Sequence, residues 1–146
     1  MAIMRALDIS ASGMSLQRLR MDVISQNIAN EGTTRTDKGT PYRRRLVVVQ
    51  EQKKHNTFSQ YLGEAQVQFN GYGVKAINVA EDQSPYKLVY DPTHPDADEE
   101  GYVEFPNVDR LREMVDMMSA TRSYEANVTA FNASKSMAMK ALDIGK

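Results

Sequence analysis

The strongest constraint on what this 146-residue chain can become is the placement of its helix breakers. All five prolines and six of the eight glycines fall between residues 31 and 106, and all nine methionines fall outside that stretch. Proline removes a helix hydrogen bond and glycine weakens a helix interior, so long helices are open only to the two ends. Unbranched, polarizable methionine gives those ends adaptable apolar surface. The fold class this predicts is α+β, with long N- and C-terminal α-helices that pair and a small β-rich insert between them. The expected bounds are 1–32 and 107–146 for the two halves of one discontinuous helical domain, and 33–106 for the insert.

From Ile3 to Ile28, the residues Leu7, Ala11, Met14, Met21 and Ile28 recur at helical spacing, with Arg18 and Ser25 interrupting the row. Ile9, Leu16 and Val23 make a second row two residues on, about 200° around the helix. The C-terminal segment repeats the design from about Val108 to Ile144. One row there is Leu111, Met114, Met118, Thr121, Tyr124, Val128, Phe131, Ala138 and Leu142, broken by Lys135. The opposite row, Ala126, Ala130, Ala133, Met137, Ala141 and Ile144, is built largely of small residues that let another backbone approach. A single hairpin buries one face of each helix, so the remaining rows are expected to meet other subunits.

The helix ends carry their own signals. Gly32 predicts a left-handed stop for the first helix, and Asn107 after Pro106 predicts an N-cap for the second, with Asp109 and Glu113 placed early to suit the helix dipole. Asn27 and Asn30, one turn apart, either cap the helix end or sit buried and fix the register of a helical assembly. In the insert, Tyr42–Gln50, Gln66–Phe69, Val74–Val79 and Tyr86–Tyr90 read as short strands. Turns are expected around Gly71–Gly73, Gln83–Pro85 and Asp91–Pro95, and a polar loop over Glu51–Glu64.

Composition narrows function mainly by exclusion. Lys and Arg against Asp and Glu count +3 −2 over residues 1–30, +9 −12 over 31–106 and +6 −5 over 107–146, so no segment has the basic footprint of a nucleic-acid binder. Zero cysteines exclude disulfides, thiolate zinc sites and a cysteine nucleophile. No apolar run exceeds four residues, as in Met1–Met4 and Leu46–Val49, which argues against a membrane span or a secretory signal. Export without signal cleavage stays open.

Isolated motifs do not assemble into a catalytic centre. Ser84 to Lys87 matches S-x-x-K, but proline at 85 and a strand pattern oppose the helix that motif needs, and its partner motifs are missing. Asp96, Asp98, Glu100 and Gly101 imitate the start of a calcium loop whose twelfth position falls on Asn107, so a solvated acidic turn is the better account. His55 and His94 sit in separate polar segments. Arg43–Arg45 reads as a solvated strand edge in competition with a phosphate strip. The sequons at Asn127 and Asn132 lie on a predicted helix. No catalytic, cofactor-binding or metal residue is expected, and no cofactor.

Longer stretches do carry a resemblance. Ser12-Gly13-Met14 with Met21-Asp22-Val23-Ile24-Ser25-Gln26-Asn27-Ile28-Ala29-Asn30 is similar to the N-terminal helix signature of the axial rod and hook proteins of the bacterial flagellum. Arg122 to Asn132, followed by Lys135-Ser136-Met137 and Lys140-Ala141-Leu142, resembles their C-terminal signature. Pro41-Tyr42-Arg43-Arg44, Val89 to Ala97, Glu99 to Val103 and Pro106-Asn107-Val108 are similar to the proximal-rod members, while Glu51–Gly63 is without counterpart. Glu31-Gly32-Thr33 departs from the family, where another asparagine often precedes the threonine.

The resemblance implies a non-enzymatic subunit of the rod that crosses the periplasm, with partners among neighbouring rod and basal-body proteins. It also implies passage through the flagellar type III export apparatus with an uncleaved N-terminal signal, and terminal helices paired as a coiled coil around an axial channel. Neither nucleic acid nor direct membrane insertion enters this reading. The interface residues expected are Leu7, Met14, Met21, Asn27, Ile28, Asn30, Leu111, Met118, Tyr124, Val128, Phe131, Met137 and Leu142. A two-sided apolar helix would aggregate on a free monomer, so folding is expected to be coupled to assembly. Another rod subunit of the same family, a coiled-coil adaptor that is not exported, and a cell-wall hydrolase are the alternative readings.

Overall fold

The computed structural model describes residues 2–52 and 72–144. In chain order these form α1 (Ala2–Ala29), β1 (Arg45–Glu51), β2 (Val74–Glu81), β3 (Lys87–Tyr90), β4 (Tyr102–Phe105) and α2 (Arg110–Ile144). Among the described residues, no helix is long and apolar enough to cross a membrane. The predicted strand at Gln66–Phe69, the turn residue Gly71, most of the Glu51–Glu64 loop and His55 fall outside the described residues.

The two helices run antiparallel. Met21 meets Thr121, Asn27 meets Glu113 and Glu31 meets Arg110, so each step forward along α1 is a step back along α2. At Gly13 the Asn127 side chain of α2 packs so close that a Cβ would lie 2.9 Å from its amide nitrogen. This glycine therefore sits inside a helix because α2 occupies the space a side chain would need, which offsets its propensity cost of about 1 kcal/mol.

β1 pairs antiparallel with β2, with Val47 opposite Val79 and a bulge at Val48/Val49, and β3 pairs antiparallel with β4, with Tyr90 opposite Tyr102. The β1–β2 ribbon lies along α1, where Val74 N–H donates to the Ser12 hydroxyl at 3.2 Å. Ser12, Leu16 and Val23 share that face, and the last two are buried. Leu16 and Val23 of the second apolar row of α1 are thus covered by the chain's own insert, while Ile9 at its start is 39% exposed. Helix spacing alone could not show this, because the insert folds back over residues tens of positions earlier.

Three boundary expectations are corrected. Gly32 does not take positive φ; the end of α1 is closed by Asn30, whose N–H and side-chain amide both donate to the Gln26 carbonyl and whose Oδ1 accepts from the Thr33 hydroxyl. Asn107 does not cap α2; Asp109 does, accepting from Leu111 N–H at 3.1 Å. Strand β1 begins at Arg45 and not at Tyr42, because the Tyr42 N–H donates to the Thr33 carbonyl and the Arg44 N–H to Asn107 Oδ1 rather than to a neighbouring strand. Strand β4 went unpredicted, although Tyr102-Val103-Glu104-Phe105 alternates and Val103 is buried. The tight turn before it uses Gly101 at φ 81, a conformation that favours glycine.

Candidate assembly interface

The covered rows of the helical pair recur in alternating fours and threes: Ser10, Gly13, Gln17, Arg20, Ile24 and Asn27 on α1, and Glu113, Met117, Ala120, Tyr124, Asn127, Phe131, Ser134 and Ala138 on α2. Its best-buried members are mostly small or polar, among them Ser10, Asn27, Glu113, Ala120 and Ser134. The large apolar residues are displaced outward. Leu111 is 76% exposed, Met118 55% and Leu142 75%, and Met114, Val115, Met137 and Met139 are exposed as well. The alanines at 126, 130 and 133, expected to admit another backbone, also lie on the exposed side. Leu7, Met14, Met21, Ile28, Asn30, Tyr124, Val128 and Phe131 are half-buried.

Asn27 is different, because it has no exposed surface and its contacts are within the chain. Its amide nitrogen donates to the Arg45 carbonyl at 2.9 Å and to Glu113 Oε2 at 3.0 Å. Its oxygen accepts from Arg45 N–H and from the Tyr42 hydroxyl, both at 2.9 Å. Two donors and two acceptors are thereby saturated. Asn27 holds the start of β1 as a neighbouring strand would, but from the end of a helix.

Glu113, also fully buried, takes the other half of the junction. Its Oε1 accepts from Arg44 Nε at 2.6 Å, and Arg44 continues to Asp116 at 3.3 Å and Asp82 at 3.8 Å. Arg44 N–H donates to Asn107 Oδ1 at 2.8 Å, and Asn107 Nδ2 donates to the Asp82 carbonyl and the Ser84 hydroxyl. The end of α1, the start of α2, β1 and the turn before β3 thus meet in one network. Among the described residues no buried side-chain polar atom lacks a partner. Sequence reasoning missed Tyr42, Arg44 and Asn107 as one cluster, because each looks ordinary in its own segment.

The arginine run accordingly divides its work, and neither the strand edge nor the phosphate strip describes it. Arg44 is buried on Glu113, while Arg43 and Arg45 lie over the rings of Tyr86 and Tyr42 at 4.4 and 5.6 Å. The other motifs are also engaged locally. Ser84 Oγ accepts from Asn107 while Lys87 Nζ reaches the Val108 carbonyl. Asp96 accepts from the Thr34 hydroxyl at 2.8 Å and pairs with Arg35. His94 Nδ1 accepts from Asp96 N–H, and Asn127 donates to the Ser123 carbonyl.

Burial, opposed by Arg45 and aided by Glu113 and Glu81, holds the Tyr42 phenol above its ordinary value of 10.0. A raised folded value means that the stability it contributes is complete below about 10 and is lost as pH climbs through the folded value. Tyr42→Phe is expected to flatten this alkaline decline and to cost about 1 kcal/mol at neutral pH through the lost hydrogen bond. Urea midpoints across the alkaline range measure both effects. At the acid end, hydrogen bonds from the Ser84 N–H and hydroxyl keep the Asp82 carboxyl below its ordinary 3.8. That contribution is present above 3.8 and is lost as pH falls through the folded value.

Residues 7–35 match the family described as Flagella basal body rod protein, and residues 99–144 match the Flagellar basal body rod FlgEFG protein C-terminal family. These two spans hold most of both helices and the whole β4 strand. Over its full length the chain is 52% identical to the flagellar basal-body rod protein FlgC of Bacillus subtilis strain 168, covering 100% of both chains. It is 44% identical to FlgC of Borreliella burgdorferi, over 99% of this chain and 98% of the relative. With FlgC of Salmonella typhimurium LT2 the identity is 42%, again over 100% of each. Motifs at both ends, a helical pair with its apolar residues turned outward, and full-length identity lead to one conclusion: the chain belongs to the FlgC family of flagellar basal-body rod proteins, structural subunits of the rod.

Proposed function

We propose that this rod subunit assembles through its terminal helices with neighbouring rod subunits, forming the proximal part of a hollow drive shaft between the inner-membrane ring and the distal rod and hook. The observation that carries the reading is the inverted division of α2, with small and polar residues toward α1 and Leu111, Met118, Met137 and Leu142 toward solvent. Each such side chain gains about 1.5–3 kcal/mol when fully buried, so covering the outer row drives association. Alternating spacing of fours and threes in the covered rows supports coiled-coil pairing around the axial channel, with the β insert as a second, outer domain. The subunit acts as a structural element and not as an enzyme, and takes no cofactor. It reaches the periplasmic part of the basal body through the flagellar type III export apparatus without signal cleavage.

Order before assembly is concentrated at the Asn27–Glu113 junction, and the far halves of the helices fold against neighbours. Circular dichroism of the isolated chain is expected to show far less helix than the 28 and 35 residues of α1 and α2. A stably and fully helical monomer would overturn coupled folding. Removing residues 1–30 is expected to abolish incorporation into rods, and incorporation of that truncation would overturn the role given to the helices.

A further inference from the structure

The β3–β4 sheet carries an outward face that the helical reading leaves unused. Leu88 pairs across the strands with Glu104, and Tyr90 with Tyr102. Directly opposed residues share a face, so these four side chains stand together on one side of the sheet. Leu88 is 66% exposed and Tyr90 65%, with the Tyr90 and Tyr102 rings edge to face at 5.3 Å. A groove beside them is lined by Leu88, Tyr102, Asp98, Glu99 and Glu100. Among the described residues, none of these three carboxylates or Glu104 makes an ion pair. A lining that is apolar, aromatic and acidic together calls for an occupant that is apolar and cationic at once.

The chain itself displays that chemistry at the opposite end of the molecule. Around Lys135 and Lys140, with a single carboxylate at Asp143, α2 exposes Met137, Met139 and Leu142, a methionine-rich helix end in which two lysines stand against one aspartate. Groove and helix end cannot meet within one molecule. The groove lies near the start of α2, where Lys87 of β3 reaches the Val108 carbonyl, and the 35-residue helix extends roughly 50 Å beyond it. Contacts between unlike surfaces on successive subunits generate open, helical assemblies of the kind a rod requires.

We propose that the β3–β4 face is a docking groove for the cationic, methionine-bearing C-terminal helix end of an adjoining rod subunit. This rests on the rod reading above and specifies that the β insert of one subunit covers the C-terminal end of the outer row of the next. Leu88 and Tyr102, with Tyr90 beside them on the same face, supply the apolar contact, and Asp98, Glu99 and Glu100 select lysine-bearing helices over acidic ones.

Two measurements test it. A fluorescent peptide of residues 131–144 is titrated against the full-length chain by anisotropy. The expected result is saturable binding that weakens with salt and weakens at least about tenfold for the chain carrying Glu99→Lys and Glu100→Lys, both exposed positions. Absence of binding, or equal binding by that variant, overturns the proposal. A photo-crosslinking residue at position 88 is then placed in assembled basal bodies, and the adduct is mapped by mass spectrometry. An adduct on a lysine- and methionine-bearing terminal helix end of a rod subunit, this chain included, supports the groove; an adduct elsewhere, or none, overturns it. If the charge-reversed chain still enters rods while the adduct maps elsewhere, the groove fails and the helical assembly stands. If the helix truncation enters rods, the helical reading fails instead.

Discussion

Asn27→Asp should be the most damaging near-isosteric change available to this protein. It replaces an amide that satisfies four partners with an anion that has no N–H for the Arg45 carbonyl and faces Glu113 in a site without solvent. Leaving a buried acceptor unpaired costs about 1–3 kcal/mol, and an uncompensated buried charge about 3–5. Against the 5–15 kcal/mol typical of a domain, that is enough to open the junction. Urea unfolding followed by tyrosine fluorescence should show a marked loss of midpoint, since Tyr42 is hydrogen-bonded to this side chain. Glu113→Ala should also destabilise, by removing the nearest acceptor of Arg44 and one partner of Asn27, but by less, because Asp116 and Asp82 still face the Arg44 charge. A wild-type midpoint for Asn27→Asp would mean that the network does not hold the insert to the helices.

Met118→Asp tests the opposite property, a residue that matters little to the chain alone and much to the assembly. At 55% exposure its substitution should change the stability of the free chain by no more than about 0.5 kcal/mol. In a packed helix seam the same aspartate becomes an unpaired buried charge costing about 3–5 kcal/mol, a loss of at least about a hundredfold in association. Phe131→Asp, in the far half of α2, should also block incorporation. Basal-body composition and spreading in soft agar read both variants. Wild-type motility would remove the residue concerned from the interface.

The two changes also mark how far the sequence could be read. Helices at both ends, strands at Val74 and Lys87 and the turn at Asp91 follow from periodicity, β-branching and breaker placement, all of which act over a few neighbouring residues. Val103 shows the limit of such reading, since a four-residue strand in an acidic, turn-rich stretch declares itself only through the core it enters. The apolar rows were legible, but their destinations were not. Leu16 and Val23 look like Met118 in the sequence, yet the first two lie under the insert and the third lies in solvent.

Asn27 shows the same division within a single residue. The sequence placed it one turn before the end of a helix, with capping and buried register both open. Capping fell to Asn30, whose partners lie within four residues, whereas Asn27 is bonded to Glu113, which is 86 residues away. By itself the sequence determined the α+β class, the helical ends and the resemblance to axial proteins, because breakers, periodicity and motifs are local records. Only the tertiary structure decided which apolar face the chain covers and which it leaves exposed, because burial depends on what the rest of the chain brings to that surface.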